Sequence, residues 1–549
     1  MNSVIERADS AYAYPLLIKQ LLATPLANAP EQEIVYRGSY RQTYRQLDER
    51  IRRLGSALMA LGVKHGDTVA VMEWDSHRYL ECYFAIPLIG ATLMTANIRL
   101  SPEQISYCLD HCGAETLLVH ADFLPLLDQI RKQLPKLRRV ILLRDDDTAL
   151  PADFYDEYEC LLSTAKQIFE FPDFDENIRA TTFYTTGTTG KPKGVQFSHR
   201  QIVLHTLATS GALAAAAQGQ RFGSSDVYMP LTPMFHVHAW GIPYVATMMG
   251  VKQVYPGRYQ PDMIVDLIDK ESVTFTHCVP TVLQLVLQAS NAATTDFSRL
   301  KMVVGGAALT AGLCREAQAR GIDIFTGYGM SETCPILTLS QLTPEMTDLD
   351  PEQDIGIRTK AGRQIPLVHL RVIDVKGQDI SRDGVSTGEI VVRAPWLTQA
   401  YRGDQEASRI LWEGGWLHTQ DIGHIDSQGY LQVADRIKDV IKSGGEWVSS
   451  LQIEYIVSLH SAIAEVAVIG VPDDKWGERP VPFIVPKPGC RDQVTLESIH
   501  SHMQPYADQG VISHYAIPDQ IKVVEALEKT SVGKLNKKLM RERFSSYAE

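Results

Sequence analysis

Apolar positions along the first half of the chain switch between a helical and an extended period. Leu47, Ile51, Leu54, Leu58 and Leu61 recur at steps of three and four, so they share one face of a helix that Thr43 can cap and Gly62 can end. Residues 68–72 (TVAVM) then form a short unbroken apolar run, the mark of a buried strand. Ser101-Pro102-Glu103 supplies a cap, a first-turn proline and an acidic first turn for a second helix, and a strand is expected from Thr116 to Val119. A helix from Pro261, a strand from Val273 to Phe275, a helix after Pro280 and a strand from Met302 to Val304 continue the alternation. This pattern predicts α/β layers with mostly parallel strands.

From about residue 365 the pattern changes to short strands separated by Gly and Asp pairs (LRVIDVKGQDI, TGEIVVRA, GYLQVADR), which predicts a β-rich subdomain over about 365–434. After Asp435-Arg436 a smaller α/β pattern returns. The strand AEVAVIGV and the helical run LNKKLMRERF belong to a piece, 439–549, of ordinary domain size. The expected fold is therefore α/β: a large N-terminal domain (1–434) of α/β layers plus the β-rich subdomain, and a small α+β C-terminal domain.

Composition narrows the function. With 549 residues the chain is too long for one small module, and 45% hydrophobic with 21% charged residues is ordinary globular usage. Asp and Glu (65) outnumber Lys and Arg (53), giving a net charge of −12, which argues against nucleic-acid binding. No apolar run is long enough for a membrane span and no secretory signal opens the chain, so a cytoplasmic location is expected, with room for peripheral membrane contact. The eight cysteines are scattered, unlike a disulfide framework. Cys108, His111 and Cys112 lack a second ligand pair at zinc spacing, which favours buried thiols beside a helical histidine.

Five segments carry candidate chemistry. Residues 185–194 (TTGTTGKPKG) hold three glycines, four threonines and two lysines behind a strand-like stretch, a composition suited to close backbone approach to a polyphosphate. The spacing is not that of a Walker loop, because Pro192 follows Lys191. In Gly327-Tyr328-Gly329-Met330-Ser331-Glu332-Thr333, Tyr328 offers a ring for a base and Glu332 a hard oxygen ligand for Mg²⁺. In WLHTQDIG (416–423), Asp421 is expected in a loop after a strand, where a carboxylate can accept from both ribose hydroxyls. Arg436 and Lys438 precede a flexible basic loop, Lys442-Ser443-Gly444-Gly445, and Gly533-Lys534 stands before a helix, suited to presenting one lysine at a loop tip. Each segment alone also fits a linker, a turn or a solvated charge run.

Together and in this order, over about 35–545, the five segments resemble the adenylate-forming superfamily, which includes acyl-CoA synthetases, the adenylation domains of peptide synthetases and firefly luciferase. Pro233-Met234-Phe235-His236-Val237-His238-Ala239-Trp240 and the ending KTSVGK make the medium- and long-chain fatty acyl-CoA synthetases the nearer likeness. The resemblance implies a two-step reaction. The acid's carboxylate attacks the α-phosphorus of ATP to give acyl-AMP and pyrophosphate, then the CoA thiol displaces AMP. It implies Mg²⁺ on Glu332 and Thr185, and phosphates on Thr185, Thr186, Gly187, Thr188, Thr189 and Lys193. Adenine is expected between Tyr328 and Gly305-Gly306-Ala307, framed by Thr326, Gly327, Gly329 and Ser331, with ribose on Asp421 and Arg436. Lys534 is implied as the lysine of the first step. Residues 435–438 are implied as a hinge centred on Lys438, which swings a mobile C-terminal domain and brings Lys442, Ser443, Gly444, Gly445 and Trp447 to CoA. His236 is expected to border the acid, and Trp240 to gate its tunnel. Many members of the superfamily carry Thr where Ser331 stands; the hydroxyl remains. Transfer to a carrier protein, and aryl, branched or sulfur-containing acids, fit the same scaffold, and the dimers common among resembling bacterial enzymes make a homodimer the expectation.

Overall fold

A computed structural model of the chain describes residues 5–146, 151, 154, 156–185, 191–216, 219–346, 349–436, 439–443, 446–530 and 535–544, with backbone only at Glu446 and Trp447. Local signals set the helices as expected. Thr43 and Gln46 form a capping box on Tyr44–Ala60, with Leu47, Ile51, Leu54 and Leu58 buried and Gly62 in the left-handed region. Ser101 and Gln104 do the same for Pro102–Cys112, which Gly113 ends at φ 72°. The strand Thr68–Met72 is wholly buried.

Two large sheets dominate. In one, seven strands run in the order Asp156–Glu157, Arg139–Leu143, Ala114–His120, Thr68–Met72, Thr92–Thr95, Arg179–Thr185, Lys193–Ser198, all parallel except the last. The other has nine strands. Its parallel centre is Glu33–Tyr36, Lys252–Tyr255, Val227–Leu231, Phe275–Cys278, Lys301–Val304 and Asp323–Gly329, with antiparallel edges. The strand expected at 273–275 starts two residues later: Val273 N–H still donates to the Ile268 carbonyl in leaving the helix Pro261–Lys270, while Thr274 N–H already donates across to Val227 of the neighbouring strand. One continuous apolar core joins both sheets to their helices.

The β-rich part is a five-stranded antiparallel sheet built on His369–Ile373, Gly388–Arg393, Trp416–Ile425 and Leu431–Arg436. A further five-stranded sheet, led by the long pair Ile463–Asp473 and Gly477–Pro486, forms the smaller C-terminal domain with the helices Ser450–Ser458, Leu496–Asp508 and Lys537–Glu542. Among the described residues no helix is long and apolar enough to cross a membrane.

Candidate active site

The glycine- and threonine-rich segment joins two antiparallel strands, with Thr185 opposite Lys193. Thr186, Gly187, Thr188 and Thr189 lie outside the described residues. The Lys193 ammonium stands 4.8 Å from the centre of the Tyr401 ring, a cation–π distance. The Tyr401 hydroxyl donates to Glu332 Oε1 at 2.6 Å. Tyr401 was not expected from the sequence, yet it ties the two motifs together. Its own segment is bound to both: Thr398 N–H donates to the Glu332 carbonyl (2.9 Å), Thr398 Oγ1 to the Gln196 carbonyl (3.0 Å), and Arg402 N–H to the Gly194 carbonyl (2.8 Å). Glu332 is buried, and burial, then the Glu332 charge, push the Tyr401 phenol far above its ordinary value. A buried carboxylate costs free energy unless its oxygens are held, and Tyr401 holds one.

Behind this hairpin, His111 Nδ1 and the Tyr184 hydroxyl are 2.8 Å apart, and Lys191 stands 5.1 Å from the Tyr107 ring centre. His111 thus braces the base of the hairpin, while Cys108 and Cys112 are buried free thiols.

The nucleoside side is assembled by strand pairing. Asp421 is not in a loop. It lies inside Trp416–Ile425, directly opposite Arg436 of Leu431–Arg436. A left-handed Gln420 (φ 60°) and nearby register shifts bend the strand, so a strand residue presents its carboxylate as a loop residue would. Tyr328 O–H donates to Asp421 Oδ2 at 2.8 Å, and Arg436 Nε lies 3.4 Å from Oδ1. Burial, then the Asp421 charge, push the Tyr328 phenol up. The strand Lys301–Val304 ends at Gly305, where a Cβ would stand 2.7 Å from the Gly327 carbonyl and 3.1 Å from the Trp240 ring. Only glycine permits that approach. Gly306 follows at φ 77°, and Ala307 completes the turn. Gly329 packs on the Pro335 carbonyl, and Ser331 opens the turn Ser331–Thr333 that carries Glu332. Thr326 is turned away, donating to the Lys360 carbonyl.

On the acid side, Val237, His238, Ala239 and Trp240 have φ of 48°, 54°, 47° and 58°, one left-handed turn ending at Gly241. Each non-glycine residue there costs about 1–2 kcal/mol, so the turn persists only because its surroundings hold it. His236 caps the turn, half-buried. Trp240 is buried against Gly305 and tilts over His277 at 5.0 Å. Burial lowers His205, His238 and His277 to about 3, so these imidazoles are neutral.

In the C-terminal part, Lys442 and Ser443 are not a flexible loop. Ile441–Ser443 pairs with Glu446–Val448, Lys442 opposite Trp447, and Ser443 also pairs with Gly477. The Ser443 hydroxyl accepts from Arg479 Nη1 at 3.2 Å, which pins the strand. Asp435 Oδ2 accepts from Ser450 N (2.7 Å) and Ser450 Oγ (2.5 Å) at the start of Ser450–Ser458, and Ser449 Oγ donates to the Ala434 carbonyl. Lys537 Nζ reaches the same serine (2.5 Å) and Glu454 (2.7 Å). Lys438, Gly444, Gly445, Lys534 and the Trp447 side chain lie outside what is described.

A family model described as AMP-binding enzyme matches residues 22–402, and one described as AMP-binding enzyme C-terminal domain matches residues 452–534. The chain is 39% identical over 513 residues to a long-chain-fatty-acid–CoA ligase of Thermus thermophilus, covering 92% of this chain and 91% of that protein. It is 37% identical to a 3-methylmercaptopropionyl-CoA ligase of Ruegeria lacuscaerulensis (96% and 97% covered). It is 34% identical to a medium-chain-fatty-acid–CoA ligase of Ectopseudomonas oleovorans (92% and 91%). Among solved structures, an anthranilate CoA ligase in complex with anthranoyl-AMP superposes with a TM-score of 0.84 at 25% identity (97% and 98% covered). A fatty acyl CoA synthetase of Mycobacterium tuberculosis superposes with 0.69 at 26% (97% and 99%).

Proposed function

The chain belongs to the AMP-binding enzyme family and is an AMP-forming acid–CoA ligase consuming ATP and CoA; we propose that its acid is a medium- or long-chain fatty acid, and that two faces of the small C-terminal domain serve the two half-reactions. A carboxylate and a polyphosphate repel each other, so in-line attack needs charge neutralised and partners aligned. Lys193 and the hairpin from Thr185 receive the β- and γ-phosphates. Glu332 and Thr185 are the hard oxygen donors that suit Mg²⁺, which when bound neutralises phosphate charge. Tyr401 fixes the Glu332 carboxylate for that task. Tyr328 and the Gly305–Gly306–Ala307 backbone flank adenine, and Asp421, backed by Arg436, accepts the ribose hydroxyls. Lys534 bridges the α-phosphate and the acid in the first step. Rotation about Lys438 then withdraws it and brings Lys442 to Trp447 to the pantetheine arm, where the CoA sulfur is the nucleophile.

The observation that carries the fatty-acid reading is Trp240. Its ring packs on Gly305 beside the nucleotide motifs, with buried, uncharged side chains behind it, surroundings that suit an apolar chain better than a charged one. The 3-methylmercaptopropionyl-CoA ligases among the relatives favour a second reading, a short thioether acid. Each methylene in an apolar tunnel discriminates by about 1–3 kcal/mol, so kcat/KM across a panel separates the two. Acetate through palmitate, aryl acids and 3-methylmercaptopropionate are assayed by AMP release with CoA. A maximum among medium or long acids is expected; a maximum at the thioether or an aryl acid overturns the fatty-acid reading.

A further inference from the structure

The strained turn that carries Trp240 is held by groups outside its own strand. Met234 N–H donates to Asp75 Oδ1 at 2.7 Å. The Met234 carbonyl accepts from the Tyr83 hydroxyl, and the Phe235 carbonyl from Thr95 Oγ1 at 2.9 Å. All three anchors come from the seven-stranded half: Asp75 from the link after Thr68–Met72, Tyr83 from the helix His77–Leu88, and Thr95 from the strand Thr92–Thr95.

Asp75 is the one carboxyl among them, and it is buried. It is itself fixed from the opposite half. Tyr259 O–H donates to Oδ2 at 2.6 Å, and the Asp75 carbonyl accepts from Gly257 N–H at 2.8 Å. Arg99 covers the junction, its guanidinium 5.9 Å from the ring centres of both Phe235 and Tyr259. Each carboxylate oxygen therefore has one donor, and one of those donors is the backbone of the segment that leads to Trp240. A buried carboxyl so held is weak evidence of a stabilising role.

We propose that Asp75 is a positioning residue for acid selection: by gripping Met234 N–H it fixes the Pro233–Gly241 strap, and through it the place of the Trp240 ring against Gly305. It touches no substrate and acts through the strap. This rests on the reading of Trp240 as the acyl gate.

Kinetics with the full-length enzyme test it. In Asp75→Ala the strap loses its carboxyl acceptor, and the KM for the preferred acid rises at least tenfold with a flattened chain-length profile, while the KM for ATP stays within twofold. Asp75→Asn keeps an oxygen for Met234 N–H and an amide for Tyr259, so it restores both acid KM and profile. If the alanine variant does not fold, Tyr259→Phe, which frees one carboxylate oxygen and keeps the ring, shifts the acid profile in the same direction. Equal increases in both KM values for Asp75→Ala, or no change in Tyr259→Phe, overturn the proposal. Trp240→Ala separates the two levels. If it alters the acid profile while Asp75→Ala does not, the strap assignment fails and the gate stands; if neither alters it, the gate reading fails and the proposal with it.

Discussion

Replacing Asp75 by Asn should make the protein more stable, by an amount that depends on pH. Burial raises the Asp75 carboxyl from 3.8 to about 7, against the opposing effects of Met234 N–H, Tyr259 and Arg99. The other groups facing it are Glu73, Tyr79, Tyr83, Tyr228 and Tyr255, none of them cationic. A raised value means that the folded protein binds this proton more tightly than the unfolded chain does. The resulting stabilisation is complete below the unfolded value and is lost as pH climbs through about 7. The distance between the two values corresponds to about 4 kcal/mol. Asn imitates the protonated acid, with its oxygen toward Met234 and its amide toward Tyr259, and does not titrate. Asp75→Asn should thus match wild type near pH 4 and exceed it by up to about 4 kcal/mol above pH 8. Unfolding midpoints of both proteins, measured by denaturant or heat across that range, give the difference at each pH. Parallel curves, or an advantage confined to acid pH, would refute the idea that an ionised, buried Asp75 is tolerated at a cost in stability.

Other expectations concern the reaction. Tyr401→Phe removes a hydrogen bond to a buried carboxylate, worth about 1.5–3 kcal/mol, so acid-dependent pyrophosphate exchange should slow about ten- to a hundredfold; a change under about twofold would leave Tyr401 no part in holding Glu332. Asp421→Ala should raise the KM for ATP about tenfold or more and that for the acid much less, read from saturation curves for each substrate. Lys534→Ala should lose acyl-AMP formation by about two orders of magnitude or more, yet still convert supplied acyl-AMP and CoA to thioester; equal loss of both steps in a half-reaction assay would contradict the division of labour.

The chain's local signals carried most of the helices and strands. Thr43 with Gln46 and Ser101 with Gln104 are complete capping boxes within four residues, and such short-range chemistry survives folding intact. The glycine-rich loop and the grouping of Tyr328, Asp421 and Arg436 were legible only through the resemblance, which rests on the motifs occurring together and in order, since each alone also fits a turn or a charge run. What could not be read was anything depending on which surfaces meet. Tyr401 stands 69 residues from Glu332 in a run, Ala-Tyr-Arg-Gly, with no feature of its own. Asp75 lies 159 residues from Met234. Asp421 was misplaced into a loop because the bend at Gln420 that exposes it arises from strand pairing, not from a turn sequence. The basic stretch at Lys442 and Ser443 looked loose for the same reason: its order comes from Gly477 and Arg479, more than thirty residues on.

The serine–aspartate contacts at the start of the helix Ser450–Ser458 bear on the swing of the small domain. Ala434 and Asp435 belong to a strand of the β-rich sheet, whereas Ser449 and Ser450 open a helix of the small domain. A swing about Lys438 that leaves the strand behind must unclasp that helix end and surrender its donors to water. The two postures then differ by a countable set of bonds, like the click of a ratchet rather than the drift of a tether. A bound nucleotide can favour one posture only as far as it prefers it.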